Sequence, residues 1–266
     1  MSDTAALFHD DNDKVFDIPH LRQIARKIVL GSSLIKDCMA GEVNAARALH
    51  IGFWPFVIGF QKAIDERVNI RTLPRQPLYK RFTHAREVLA ATPRNLRILT
   101  ETEFNGVFGK LISEMEGMQR EELTHAGYWV RDAANLGISR QELDNAPEIP
   151  GVKALLDRAY SEDLADFFGH LAGTEVIAEQ LGADLDPTIA PLFNALFKNA
   201  REDRGRWTWG IVHTLPHHDG PSHLDIDLDW ARAYNGDRDL SIVRNSVETS
   251  MRMFGHAADE VHKHFH

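Results

Sequence analysis

The sequence predicts an all-α protein folded as a single compact multi-helix bundle. Apolar residues recur at helical spacing over most of the chain, while the every-second-residue alternation of strands is scarce. Caps, prolines and glycines stand where helices of ordinary length would begin and end. No linker, internal repeat or low-complexity tract divides the chain, so residues 1–266 are expected to form one helical domain, with 1–16 as a flexible acidic arm.

The elements follow in order. Asp17 with Pro19 opens a helix expected to run to about Ala40. A second is expected from about Glu42 to Glu66, kinked at Pro55. Asn69 to Leu78, with Pro74 and Pro77, reads as a loop, and Tyr79 to Ala91 as a helix. Thr92-Pro93 restarts helix as a cap followed by proline at the first helical position. That segment reaches Met118, with bends at Gly106, Gly109 and Gly117, and another helix runs from Arg120 to Leu136. Ser139 to Glu142 is a capping box for a short helix, and Asn145 to Pro150 a proline loop. Helices are expected at 151–160, 162–181 and 187–200, then at 221–234 and 239–262. The segment 201–222, with Trp207, Trp209 and Pro216, shows no clear pattern.

Composition bounds the function. The chain is 43% hydrophobic and 26% charged, ordinary for a globular protein with its own core. A net charge of −9 lacks the cationic footprint that displaces counterions from phosphates, so no nucleic-acid partner is expected. Arg71–Arg75 and Arg201–Arg206 read as solvated loops. The lone Cys38 excludes an intramolecular disulfide and a four-cysteine zinc site, and suits a reducing compartment. The start, MSDTAALFHDDNDK, has neither the basic end nor the apolar run of a signal peptide. The longest apolar run, Ile51 to Phe60, is about half a membrane span. A cytoplasmic protein without a membrane partner is the expectation.

Placing residues at about 100° per position shows which acids share the apolar side of each helix. On the helix around His125, Glu122 falls within the arc of Leu123, Ala126, Trp129, Val130 and Ala133. His125 lies on its flank, and Glu121 falls outside. On 162–181, Glu175 sits near the centre of the arc of Phe168 and Leu171, and Glu179 is one turn on. His170 points away and reads as solvated. On SHLDIDLDWARAY, His223 and Asp227 fall on the side of Ile226 and Trp230, while Asp225, Asp229 and Arg232 form a solvent face. A buried ionised carboxylate requires a partner or a metal. One such acid reads as an internal salt bridge. Three helices making the same departure supply two Glu, two His and one Asp, the donor set of a non-heme iron or manganese site inside a helical bundle. His50 reads as a core histidine or a substrate-facing group, and Glu101 is a spare carboxylate. His213, His217, His218 and the tail His262, His264 and His266 read as loop or surface residues.

The segment REELTHAGYWVRDAANLGISRQEL, residues 120–143, resembles the heme-oxygenase-like di-iron oxidases. Their fold is shared with thiaminase-II-like proteins and with the pyrroloquinoline-quinone biosynthesis protein C. The resemblance rests on Glu122-Leu-Thr-His125 followed by Trp129 and Leu136-Gly137, on Glu175 from a later helix, and on His223-x-x-x-Asp227. GEVNAARALHIGFWPFVIGF, residues 41–60, is similar to that family's second helix. The resemblance implies a bundle of seven or more helices and metal ligands Glu122, His125, Glu175, His223 and Asp227. One or two irons, or manganese, would be held there. Where the family has its last histidine this chain has Trp230. That departure leaves three arrangements open: one metal, a replacement ligand from His217, His218 or His50, or no metal.

Three functions follow. The first is an iron-dependent oxidase or oxygenase acting with dioxygen on a small amino acid or carboxylic acid. The second is a metal-free member of the same fold, a hydrolase or cofactor-biosynthesis protein using its buried acids for proton transfer. The third is a non-catalytic helical module, with a homodimer as its form.

Overall fold

In a computed structural model of the chain, residues 12, 15–68, 101–196, 206–214 and 222–266 are described, with side chains omitted for 101–112 and 194–196. Among the described residues every regular element is a helix. Helix α1 (Ile18–Gly31) begins with proline in its first turn, where a missing N–H costs nothing, and buries Leu21, Ala25 and Val29 along one stripe. The expected single helix to Ala40 is broken: Ser32 turns to extended backbone with ψ 135°, and α2 (Ser33–Met39) starts afresh. Gly31 weakens helix continuation there, and the new direction buries Leu34, Ile35 and Cys38. The expected flexible arm is packed at its end, where Asn12 and Phe16 are buried.

Helix α3 (Val43–Arg67) covers the expected segment, contains Pro55 and buries Leu49, His50, Phe53 and Trp54. The expected loop 69–78, the helix 79–91 and the start at Thr92-Pro93 lie outside the described residues. Helix α4 (Glu101–Asn135) is continuous across Gly106, Gly109 and Gly117, where two segments were expected. Each glycine costs about 1 kcal/mol of helix propensity, and packing of α4 along α3 outweighs it. The Ser139 capping box closes with Glu142 and starts α5 (Arg140–Asp144). Arg47 ties that corner to α3 by donating to the Leu136 carbonyl and the Glu142 carboxylate. Helix α6 (Pro150–Arg158) follows the proline loop.

Helix α7 (Leu164–Leu196) merges the expected 162–181 and 187–200 segments and contains Pro187 and Pro191. Burial of Leu185, Ile189 and Phe193 along one stripe holds it together where proline removes ladder bonds. It is the axis of the bundle, contacting α1, α2, α8 (Thr208–Val212), α9 (His223–Asn235) and α10 (Ser241–Phe265). A helix surrounded this way buries more than one face. That explains His170, expected in solvent but fully buried, with Nδ1 2.6 Å from the Ser250 hydroxyl. Asp229 departs similarly. Expected on a solvent face, it is buried because the N-terminal segment covers α9, and it accepts from Asn12 Nδ2 at 3.2 Å. Arg232 donates to the same asparagine.

No helix among the described residues is long and apolar enough to cross a membrane.

The α7–α10 seam depends on small residues. A Cβ at Gly173 would lie 2.5 Å from the Val247 carbonyl oxygen, whereas one at Gly127 on α4 would meet nothing within 4 Å. Gly173→Ala is therefore expected to lower unfolding free energy by about 2 kcal/mol through forced separation of the helices. Gly127→Ala should raise it by about 0.5–1 kcal/mol through helix propensity. Urea unfolding of the two variants checks both signs.

Candidate functional site

Helices α4, α7 and α9 converge on Glu122. Its carboxylate is shared by two imidazoles: His125 Nδ1, one turn along α4, lies 2.9 Å from Oε2, and His223 Nδ1, in the first turn of α9, lies 2.9 Å from Oε1. The second nitrogen of His223 reaches Glu121, 3.0 Å from Oε2. Glu121 was placed outside the apolar arc, and its side chain is indeed 58% exposed, yet the imidazole of a neighbouring helix comes to meet it. The Ser222–Asp225 capping box sets the start of α9 and so the position of His223.

Glu175 reaches in from α7. One ligand atom each from Glu122, Glu175 and His223 lie within 4.8 Å of one another. Bonds of about 2.1 Å to one ion place its ligand atoms about 3–4.2 Å apart, so a small inward shift of these side chains would let the trio hold a single divalent ion. His125 touches Glu122 but stands outside the trio. Asp227, one turn beyond His223, is buried, and its Oδ1 has no hydrogen-bond partner among the described residues. That orphaned acceptor also fits a site built for a cation.

The charges are distributed unequally. Burial disfavours ionised Glu122, but His125 and His223 outweigh it and hold its pKa well below the usual carboxylate range. Burial pushes Glu175 up to about 8, with Glu122 and Glu179 adding and His223 opposing. Burial and the charge of Glu175 raise Asp227 well above its ordinary value. Burial opposes protonated His223, but hydrogen bonds to Glu121 and Glu122 carry it up to about 11. Without a cation the cluster is an ionised Glu122 held by imidazolium, flanked by two neutral carboxyls. Glu179 pairs with Arg22 at 3.2 Å.

A cavity of about 40 Å³ opens beside the cluster, room for a water or a small group in this conformation. Phe56, Val57, Phe60 and Gln61 of α3 line one side, and Thr174, Glu175 and Ala178 of α7 another. Trp209 and His213 complete the wall from the segment that showed no pattern in sequence. Asp132 holds that segment in place: its buried Oδ2 accepts from the Trp209 N–H at 2.7 Å, and burial lifts its pKa to about 7. His213, expected in a surface loop, lies with its ring centroid 4.6 Å from that of His125, the planes inclined by 60°, and burial with the nearby His125 charge lowers its pKa to about 3. Its Nδ1 donates to the Trp209 carbonyl, so Nε2 is the acceptor nitrogen.

The alternative ligands divide. Both ring nitrogens of His50 are occupied, Nδ1 donating to the Ala46 carbonyl and Nε2 accepting from Trp207 Nε1, which corrects its reading as a substrate or replacement ligand. Trp230 is buried against Phe168 and Tyr234, filling its place with apolar surface. The Glu101 side chain, His217 and His218 lie outside the described residues.

No family model matches the chain, and no curated protein matches it in sequence. Among solved structures, a TenA homolog from Pseudomonas syringae pv. tomato strain DC3000 aligns with a TM-score of 0.62 at 17% identity, over 92% of this chain and 90% of that one. The protein is thus an all-α, heme-oxygenase-like bundle. Within it stands a buried carboxylate–imidazole cluster beside a largely apolar cavity.

Glu175 stays protonated in the fold up to about pH 8, whereas an unfolded glutamate ionises near 4.5. The unfolded state therefore loses its proton first, and this contribution to stability falls as pH rises through that window. His223, also raised, acts in the same direction from 6.5 towards about 11. With chelator present, the urea midpoint of the natural chain should fall more between pH 5 and 8 than that of Glu175→Gln. Equal falls would show that Glu175 is not the group responsible.

Proposed function

We propose that this chain is an enzyme acting on a small organic molecule beside a one-ion metal centre formed by Glu122, Glu175 and His223. Iron is the metal, manganese the nearest substitute, and dioxygen the co-substrate. The observation that carries the reading is the convergence of three donor groups within 4.8 Å, Glu122 and His223 buried and Glu175 half-buried. Mixed carboxylate and imidazole donors suit these metals. Bound iron would supply the redox chemistry with dioxygen that no side chain provides.

The chain's own residues have separate tasks. Glu121 accepts from Nε2 of His223 and holds the ring so that Nδ1 faces Glu122. His125 steadies the other oxygen of Glu122. Phe56, Phe60 and Trp209 keep bulk water from the cavity and accept the apolar body of a substrate. The amino acid or carboxylic acid class rests on the family resemblance. Trp230 gives no ligand, which supports one ion over two.

A second reading has its own observation. Glu122 bridging two imidazoles, with Glu175 raised to about 8, is also an acid–base pair that would act without metal. The likeness of fold to the TenA homolog weighs towards it. Cys38 supplies no nucleophile, since it is buried on α2 and burial pushes its thiol up to about 12.

Anaerobic titration with Fe(II) or Mn(II) separates the two. The natural chain should bind one ion inside, more tightly at pH 8 than at pH 6, because Glu175 and His223 must release protons. Glu122→Ala and His223→Ala should each abolish that binding and any iron-dependent oxygen uptake. If neither metal binds and the substitutions change only stability, the metal reading is wrong, and the cluster is an acid–base pair or a buried ion-pair network.

A further inference from the structure

The last turn of α10 carries a cluster that shares no residue with the cavity. His262 and His266 are four residues apart, on one face of the helix, with ring centroids 4.5 Å apart. Across the interface, His262 Nε2 lies 2.9 Å from Oδ2 of Asp37 on α2. One ligand atom from each of the three lies within 4.8 Å of the others.

Two of these groups stand on packed helices. Asp37 precedes the fully buried Cys38, His262 follows the fully buried Val261, and α2 packs against α10. Core packing therefore sets the backbone of Asp37 and His262, and His266, the exposed C-cap residue, follows one turn on. The Asp37 and His262 side chains remain 41% and 25% exposed, so an ion can enter and keep water in its remaining positions.

We propose that Asp37, His262 and His266 form a surface site for a borderline divalent transition ion such as zinc, which clamps the last turn of α10 onto α2. Two imidazoles and a carboxylate favour such an ion over calcium or magnesium, which take oxygen ligands. An imidazole pair at i and i+4 on a helix is the arrangement that presents two nitrogens to one ion. The site is independent of the metal or acid–base reading of the interior cluster.

The test is equilibrium dialysis of the full chain against Zn(II) after chelator treatment. The natural chain is compared with Asp37→Asn, the double variant His262→Ala/His266→Ala, and Glu122→Ala. Circular dichroism melts confirm that each is folded. The double variant should hold one zinc equivalent fewer than the natural chain, and Glu122→Ala should retain that equivalent. Asp37→Asn should bind at least about tenfold more weakly, since even residues that support a ligand cost that much. Zn(II) should raise the melting midpoint of Glu122→Ala by about 5 °C at a hundredfold excess over Kd. Unchanged zinc content in the double variant would overturn the proposal, as would loss of all zinc from a folded Glu122→Ala. If Glu122→Ala does not fold, Glu175→Gln replaces it as the interior control with the same two outcomes.

Discussion

The buried carboxylate of Glu122, held between His125 and His223, is the interaction on which the interior of this protein depends. An ionised carboxylate removed from water is strongly unfavourable unless compensated, and here compensation comes from two different helices. It joins α4 to α9 at a fixed register. Its charge also sets the state of its neighbours: it helps keep Glu175 and Asp227 neutral and helps keep His223 protonated. A cation entering this cluster would displace protons from Glu175 and His223, so metal affinity and proton content are linked through one residue.

The geometry around Glu122 is delivered by α7. Its glycines permit close approach of α10, and its opposite surfaces meet α9 and α8. A helix with neighbours on several sides places Glu175 at the cluster and His170 in the core at the same time. The cavity wall is completed by α8, which has little helix strength of its own at five residues. The buried carboxylate of Asp132 anchors its first turn, and Trp207 and Trp209 pack it down. Close backbone contact helps: a Cβ at Gly182 would meet the Gly210 carbonyl oxygen at 2.0 Å. The cavity wall therefore depends on a short segment held by the Asp132 carboxylate and by Trp207, which is itself part of the main core.

The two carboxylate–imidazole clusters illustrate different uses of similar chemistry. At Glu122 the groups are buried, their pKa values are displaced and an apolar cavity adjoins them. At Asp37 the groups stand at the surface between the ends of two helices, where an ion would act as a clamp. Burial, more than residue type, separates a centre suited to substrate chemistry from one suited to structure.

Much was determined by sequence alone. Helical period established the all-α class, the capping box at Ser139 located a helix start, and the arcs picked out Glu122, Glu175, His223 and Asp227 as inward-facing. These succeed because period and capping are local properties of a helix. Tertiary structure decided the rest. His213 joined the cavity because Asp132, distant in sequence, anchors its segment. Glu121 became a partner of His223 although it lies on the exposed side of its own helix. His170 and Asp229 were misread because a one-face rule fails where a helix is surrounded or an N-terminal segment folds back. The breaks expected within α4 and α7 did not occur, because long-range packing outweighs the local cost of glycine and proline. Which helix covers which face is a property of the assembled bundle, and no single helix encodes it.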